Sequence, residues 1–131
     1  MRIFVESETS VARISRMTKE QAIKQLKGDR PIPVPLFGHI TITYPLSVPY
    51  EMDATGVGSI GELMWLVSQA YLAIYETEEA TMSRVAAYSD PNLINRGKSN
   101  GQYGVWGHSI GDLQIEGFDI KNGIITPLIG S

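Results

Sequence analysis

Residues 59–79 read SIGELMWLVSQAYLAIYETEE, and no other part of the chain is long and apolar enough to anchor a core. Ser59 stands three residues before Glu62, which is the spacing of a capping box at a helix start. On a 3.6-residue period the polar positions form one narrow stripe, made of Glu62, Gln69 and Glu76, and apolar side chains cover most of the remaining surface. The pattern predicts a buried central helix. Polar residues interrupt it too often for a membrane span, which needs about 20 mostly apolar residues.

The composition of the 131-residue chain is typical of a soluble globular protein and predicts one domain over residues 1–131. The chain contains no cysteine, which excludes disulfides, thiol catalysis and cysteine metal clusters. The opening residues, MRIFVESETS, lack the long apolar region of a signal peptide. An intracellular or virion-associated location is therefore expected.

Charge is distributed unevenly along the chain, although the net charge is only -3. Residues 1–30 hold seven bases and four acids, whereas residues 31–83 hold six acids and no base. The two segments are predicted to lie against each other or to be solvated; the alternative is a polar molecule that associates head to tail. A candidate basic patch consists of Arg13, Arg16, Lys19, Lys24 and Lys27. Nucleic acid is a possible partner of this patch but is not favoured.

The opening segments of the chain have the composition of two short strands and a helix. RIFVE at 2–6 and SVARI at 10–14 are predicted to pair as a hairpin. Thr18 and Gln21 make a second capping box, which predicts a short amphipathic helix over residues 19–27.

The middle of the chain changes from prolines to an alternating pattern. Residues 31–35, PIPVP, predict an extended connector, with a proline-rich ligand for a partner domain as the alternative. Residues 38–44 alternate apolar and polar side chains, which predicts a strand that Pro45 ends. Residues 50–58 are predicted to be a turn-rich approach to the central helix.

The last third of the chain predicts a β-hairpin. Residues 80–88 are predicted to continue the long helix or to form a second one, and residues 92–103 to be a functional or mobile loop. Asn122 and Gly123 tolerate the positive φ of a type I′ turn, and Gly117 interrupts the preceding strand where a bulge is expected. Pro127 indicates that part of the last strand lies at an edge. The chain is thus predicted to be α+β, with an antiparallel sheet packed on one long central helix, a short N-terminal helix and a C-terminal hairpin.

Candidate chemistry is sparse, and no metal or cofactor is predicted. On an extended strand His108, Asp112 and Glu116 would share one face, where together with His39 they could form a metal site or a general acid and base. A half-exposed strand needs polar residues at alternate positions in any case, so the structural interpretation is favoured. Phosphate-loop, HExxH and GxSxG signatures are missing.

Aromatic residues are the candidate interaction residues, since such side chains are enriched at contact sites. They are Trp65, Tyr71, Tyr75, Tyr103 and Trp106. The apolar surface of the central helix is so wide that one sheet is not expected to cover all of it. Residues 80–88 and the proline-rich connector, or a second protein, are predicted to cover the remainder.

The element order resembles a domain of unknown function found in fungi and some large DNA viruses. The residues that carry the resemblance are SIGEL at 59–63, GDLQIEGF at 111–118 and LIGS at 128–131. They cover less than half of the chain, and the resemblance implies an architecture but no catalytic residues.

The leading functional hypothesis is a non-enzymatic structural or protein-interaction domain that self-associates. The first alternative is a small enzyme or a ligand- or metal-binding protein that uses His108, Asp112 and Glu116. The second alternative is nucleic-acid binding through the basic N-terminal segment.

Overall fold

The computed structural model describes residues 1–27, 38–81 and 99–131. In chain order the elements are β1 (Arg2–Phe4), α1 (Val11–Ile14), α2 (Lys19–Gln25), β2 (His39–Ile42), β3 (Tyr50–Asp53), α3 (Ile60–Thr81), a 3-10 turn (Ile110–Asp112), β4 (Gln114–Lys121) and β5 (Ile124–Gly130). The α+β class, the long central helix and the C-terminal hairpin are therefore confirmed.

The five strands form one sheet in the order β1-β4-β5-β2-β3. Three of the strand pairs are antiparallel, but β2 and β5 run parallel, with His39 opposite Ile124 and Ile40 opposite Ile125. The prediction of a purely antiparallel sheet was wrong in this respect. A parallel neighbour requires a long crossover connection, and the segment between β2 and β5 supplies it because it contains α3.

The predicted N-terminal hairpin does not form. Residues of β1 pair with β4 instead, and residues 10–14 begin a helix whose first N–H groups are capped by the Ser10 hydroxyl, which accepts from the backbone N–H of Arg13 at 3.3 Å. The connecting segment is tied to the chain before β4, because Val11 donates its backbone N–H to the carbonyl of Leu113. The second capping box is confirmed: Thr18 and Gln21 cap each other at the start of α2.

The strand predicted over residues 38–44 is present and shorter. In β2 the side chains of Ile40 and Ile42 are buried, as the alternation predicts. Residues 50–53, predicted as part of a turn-rich approach, form the edge strand β3 and pair with β2. The sequence YEMD alternates apolar and polar residues, with Tyr50 and Met52 half-buried, but four residues are too short a run to distinguish a strand from a turn-rich segment.

The helix α3 begins as predicted, since the Ser59 hydroxyl accepts the backbone N–H of Glu62 at 3.1 Å. Its buried face lies in the core with residues from the sheet and from both short helices. The buried α3 residues are Ile60, Gly61, Leu63, Met64, Val67, Ser68, Ala70, Tyr71, Ile74 and Glu78.

The narrow polar stripe of α3 is also in contact with protein. The Glu62 carboxylate lies 3.6 Å from the Lys19 Nζ, and Gln69 donates its side-chain N–H to the carbonyl of Ser15 at 2.7 Å. On the flank of the stripe, the Trp65 indole N–H donates to the carbonyl of Met17. The N-terminal helices thus cover a flank of α3 that was predicted to need residues 80–88, the proline-rich connector or a second protein.

The C-terminal hairpin follows the sequence closely. Asn122 and Gly123 have φ values of 53° and 77°, and the register of β4 on β5 shifts between Ile115 and Gly117, where the bulge was predicted. Pro127 lies beyond the two residues of β5 that pair with β2, so this part of β5 has β4 as its ladder partner. The predicted edge position of Pro127 is therefore consistent with the ladder.

Several predictions fall outside the described residues: the extended connector at 31–35, the helix at 82–88 and the loop at 92–98 with its two bases. Within residues 1–27, 38–81 and 99–131, no helix combines the length and the hydropathy that crossing a membrane requires.

Candidate functional site

Two neighbouring loops, residues 43–50 and 99–109, form a surface at the end of the molecule where β2 leaves the sheet. Leu46 and Val105 form an isolated antiparallel bridge between the loops, and Trp106 donates its backbone N–H to the carbonyl of Pro45 at 3.0 Å. Neither loop contains an Asp, Glu, Lys or Arg residue. We call the side chains that these two loops expose the uncharged surface.

Hydroxyl groups of α3 hold the backbone of both loops. Tyr71, which is fully buried, donates its hydroxyl to the carbonyl of Tyr44 at 2.5 Å, and Tyr75 donates to the carbonyl of His108 at 2.9 Å. Burial raises the pKa of Tyr71 far above its ordinary value, so its hydroxyl stays protonated and keeps donating. One turn of α3 thus fixes the position of two surface residues relative to each other.

Aromatic contacts order the exposed side of the same loops. The Tyr44 and Trp106 rings meet edge to face with centroids 5.4 Å apart, and Tyr50 meets Tyr103 in the same manner at 5.9 Å. The Trp106 residue is 42% exposed and Val48 is 50% exposed. The uncharged surface therefore presents large apolar side chains that are already held in place.

Glu78, which is only 3% exposed, anchors the second loop from the last turn of α3. Its carboxylate accepts the backbone N–H groups of Gly101 and Tyr103, each at 2.8 Å, and of Gly104 at 3.2 Å, together with the hydroxyl of Ser99. Burial alone would raise the pKa of this carboxyl group, but the hydrogen bonds outweigh burial and hold the pKa below its ordinary value. The charged carboxylate therefore organises the loop.

His108 belongs to the second loop, and its two ring nitrogens face two polar side chains, Ser131 and Asp112. Its Nε2 is 3.3 Å from the Ser131 Oγ, which is in turn 3.0 Å from the Tyr44 hydroxyl. On the other side of the ring, Nδ1 is 3.9 Å from the Asp112 Oδ2, which accepts the backbone N–H of Ser109 at 3.1 Å. The His108 ring therefore lies between the Ser131 hydroxyl and the Asp112 carboxylate. The centroids of the His108 and Tyr44 rings are 5.8 Å apart.

The predicted set of His108, Asp112 and Glu116 on one face of a strand was wrong. Asp112 belongs to a 3-10 turn and not to a strand. The alternation of side chains along a strand therefore cannot place His108, Asp112 and Glu116 on one face. Glu116 lies on β4, and its carboxylate occupies the space that a side chain at Gly130 would need.

The metal site considered for these residues and His39 also lacks support. His39 is on β2, where its Nε2 lies 3.3 Å from the Glu51 Oε1. In the parts of the chain that the structure describes, no group of three or more His, Asp or Glu side chains is arranged to hold a metal ion.

The five candidate interaction residues separate into two groups. Trp65, Tyr71 and Tyr75 use their polar atoms to bond backbone carbonyls inside the fold, and Tyr71 is inaccessible. Tyr103 and Trp106 lie on the uncharged surface, where Tyr103 is half-buried and Trp106 is exposed.

The candidate basic patch is partly neutralised. Arg13 lies 3.3 Å from the Glu8 carboxylate and Lys19 lies 3.6 Å from that of Glu62. Arg16, Lys24 and Lys27 are exposed. The ion pair between Lys19 and Glu62 also joins the basic N-terminal segment to the acidic segment, which were predicted to lie against each other or to be solvated.

Sequence reasoning missed Glu78, Tyr44 and Ser131. A signal existed for Glu78, because it follows Tyr71 by seven residues and Ile74 by four and so lies on the apolar side of the helix. No local pattern could connect Ser131 to His108, since 23 residues separate them and only the hairpin brings them together.

Comparison with known proteins gave no match: no family model, curated protein or solved structure is similar to this chain at a significant level. The chemistry of the site is therefore inferred from its own residues.

Proposed function

We propose that this chain is a protein-interaction domain that self-associates through the uncharged surface. The observation that carries the proposal is that Trp106 is both exposed and ordered. It is 42% exposed, yet its backbone N–H donates to the carbonyl of Pro45 and its ring contacts that of Tyr44. A large aromatic side chain that is already ordered loses little conformational entropy on binding, and such residues dominate the energy of many interfaces.

The absence of charge supports a second copy of the chain as the partner. Residues 43–50 and 99–109 hold no charged side chain other than His108 when it is protonated, although 19% of the whole chain is charged. Across a two-fold axis a surface meets itself, so any charge on it would face a like charge. An uncharged aromatic surface meets its own copy without this repulsion.

The other functional hypotheses have weaker support. Nucleic-acid binding would use a basic patch in which Arg13 and Lys19 already lie beside carboxylates. Such binding predicts a steep dependence on salt, and an affinity unchanged by salt would remove it. Membership of the fungal and viral domain family stays a prediction.

The proposal is tested by sedimentation velocity over a wide range of protein concentration. We expect the wild-type chain to form dimers as the concentration rises, and Trp106→Glu to stay monomeric because it places a carboxylate opposite its own copy. Ile124→Glu is the matched control, since Ile124 is 46% exposed but lies on β5, outside the uncharged surface. We expect this variant to associate like the wild type.

Two results would contradict the proposal: a wild-type chain that is monomeric at every concentration, or equal loss of association in both glutamate variants. Near-ultraviolet circular dichroism and the melting temperature must show that each variant is folded. Trp106→Ser, which removes the ring without adding charge, provides a second variant for the same measurement.

A further inference from the structure

We propose that in the monomer Ser131, His108 and Asp112 form an acyl-transfer site for small carboxylic esters, an activity that goes beyond the proposed self-association. The Ser131 Oγ is 3.3 Å from the His108 Nε2, so a slight approach brings the nucleophile within hydrogen-bond distance of a general base. Serine hydroxyls are activated when a general base lies next to the nucleophile and a third group orients that base.

The backbone of His108 is held by Tyr75, and its ring faces Asp112. Tyr75 holds the backbone carbonyl of His108 at 2.9 Å, and the Asp112 carboxylate is held by the N–H of Ser109. The carboxylate is 3.9 Å from Nδ1, and a closer approach that forms a hydrogen bond between them would place the ring proton on Nδ1. The lone pair of Nε2 then faces the serine, as a general base requires.

Tyr44 supplies the remaining polar group. Its hydroxyl is 3.0 Å from the Ser131 Oγ, so we assign it the role of a donor to the carbonyl oxygen of an ester that reacts at Ser131. In the monomer the Trp106 ring is exposed and edge to face with Tyr44, so it offers an apolar contact for the substrate, which a second copy would compete for on association. The site is open, because the Asp112 side chain is 48% exposed and that of His108 is 27% exposed, so a small ester can reach it.

The reaction balances with these groups and water. The Ser131 Oγ forms a bond to the ester carbonyl carbon, its proton passes to the His108 Nε2, and the carbon–oxygen bond to the alcohol breaks as that proton is delivered to the leaving oxygen. Water, deprotonated by the same nitrogen, then attacks the acyl carbon; the bond from that carbon to the Ser131 Oγ breaks, the proton returns from Nε2 to Oγ, and the carboxylic acid is released. No oxidant, reductant or metal is needed.

The experiment uses the full chain and a fluorophosphonate probe, which loses fluoride when a serine oxygen attacks phosphorus. Mass spectrometry of the labelled peptide is expected to place the probe on Ser131 in the folded protein and nowhere after denaturation. Ser131→Ala should abolish the label, and His108→Gln should lower the labelling rate about 100-fold. Tyr44→Phe should lower it by a smaller factor.

Asp112 is a positioning residue in this scheme, so Asp112→Asn should lower the maximal labelling rate without changing the probe concentration that gives half of it. Ser7→Ala is the control, because the Ser7 hydroxyl bonds to the backbone of Lys27 and has no role in the site, so the labelling rate should not change. Labelling of a different serine, no labelling of the folded wild type, or equal labelling of His108→Gln and wild type would overturn the proposal. Circular dichroism of each variant confirms that the fold is retained.

Discussion

The carboxylate of Glu78 accepts the backbone N–H of Tyr103 at 2.8 Å, so the last turn of α3 holds the loop that carries half of the uncharged surface. The same carboxylate accepts the backbone N–H groups of Gly101 and Gly104, so it is the common acceptor for this stretch of the loop. A charged acceptor suits this role because hydrogen bonds to an ionised group are about twice as strong as neutral ones.

Glu78→Gln should destabilise the fold by about 1–3 kcal/mol. The amide keeps the size of the side chain but turns one acceptor into a donor, which then faces backbone N–H groups that also donate. Denaturant unfolding at neutral pH measures the loss. Glu79→Gln is the control, because Glu79 is the exposed neighbour on the same helix, and a loss of equal size there would contradict the prediction.

The pH dependence of stability should carry the signature of Glu78. Its folded-state pKa lies below the ordinary value, so its contribution is complete above the unfolded pKa of about 4.3 and disappears as the pH falls through the folded pKa. The free energy of unfolding of the wild type should therefore drop below about pH 4.5 more steeply than that of Glu78→Gln. Parallel profiles for the two proteins would show that Glu78 titrates normally.

Tyr71→Phe should cost about 1–3 kcal/mol in the free energy of unfolding, since it leaves the carbonyl of Tyr44 without its donor in a buried position. The ring is retained, so little packing is lost. Tyr75→Phe removes the matching bond to His108 at a half-buried site and should cost less, because water can replace the hydroxyl. Thermal unfolding of both variants measures the difference, and a larger loss for Tyr75→Phe would contradict it.

Gly61→Ala should destabilise the protein although alanine is the better helix former by about 1 kcal/mol. A Cβ at this position would lie 2.9 Å from the Cα of Ile23 and closer still to the carbonyl oxygen of Ala22, so α2 would have to move. Overpacking against backbone costs about 1–3 kcal/mol, which exceeds the gain in propensity. Gly58→Ala, where a Cβ meets nothing within 4 Å, is the control and should be close to neutral in denaturant unfolding.

Ser68→Ala should have the opposite effect and raise the free energy of unfolding by about 1 kcal/mol. The Ser68 hydroxyl is fully buried and has no hydrogen-bond partner within the described parts of the chain. Alanine removes this unsatisfied group and favours the helix. A melting temperature below that of the wild type would show that the hydroxyl has a role that its surroundings do not reveal.

The features that could be predicted from the sequence depend on neighbours in the chain. Four features each follow from residues a few positions apart: the capping box at Thr18, the cap that the Ser59 hydroxyl provides, the turn at Asn122 and the bulge before Gly117. Their physical causes, a hydroxyl that caps an N–H or a backbone that adopts positive φ, act within one turn of chain.

The features that could not be predicted depend on distant partners. Residues 10–14 have strand-like composition, yet the bond from Val11 to the carbonyl of Leu113 and the Ser10 cap turn them into α1. The edge strand β3 is only four residues long, and its alternation of apolar and polar residues indicates a strand only once the ladder with β2 is known.

The candidate sites show the same division. Composition alone made Trp106 and Tyr103 candidates, but only the fold showed that Trp65 and Tyr71 bond inside the molecule while Trp106 stays exposed. His108 and Asp112 were recognised by residue type, whereas Ser131 joined them through the hairpin.

The sequence by itself therefore determined the α+β class, the central helix and the final hairpin, since periodicity, capping and turn chemistry are local. The tertiary structure decided that β2 and β5 run parallel, that α1 and α2 cover a flank of the long helix, and that Glu78, Tyr71 and Tyr75 hold the loops of the uncharged surface. These outcomes depend on which distant groups meet, and the free energy of such contacts exists only when the whole chain is packed.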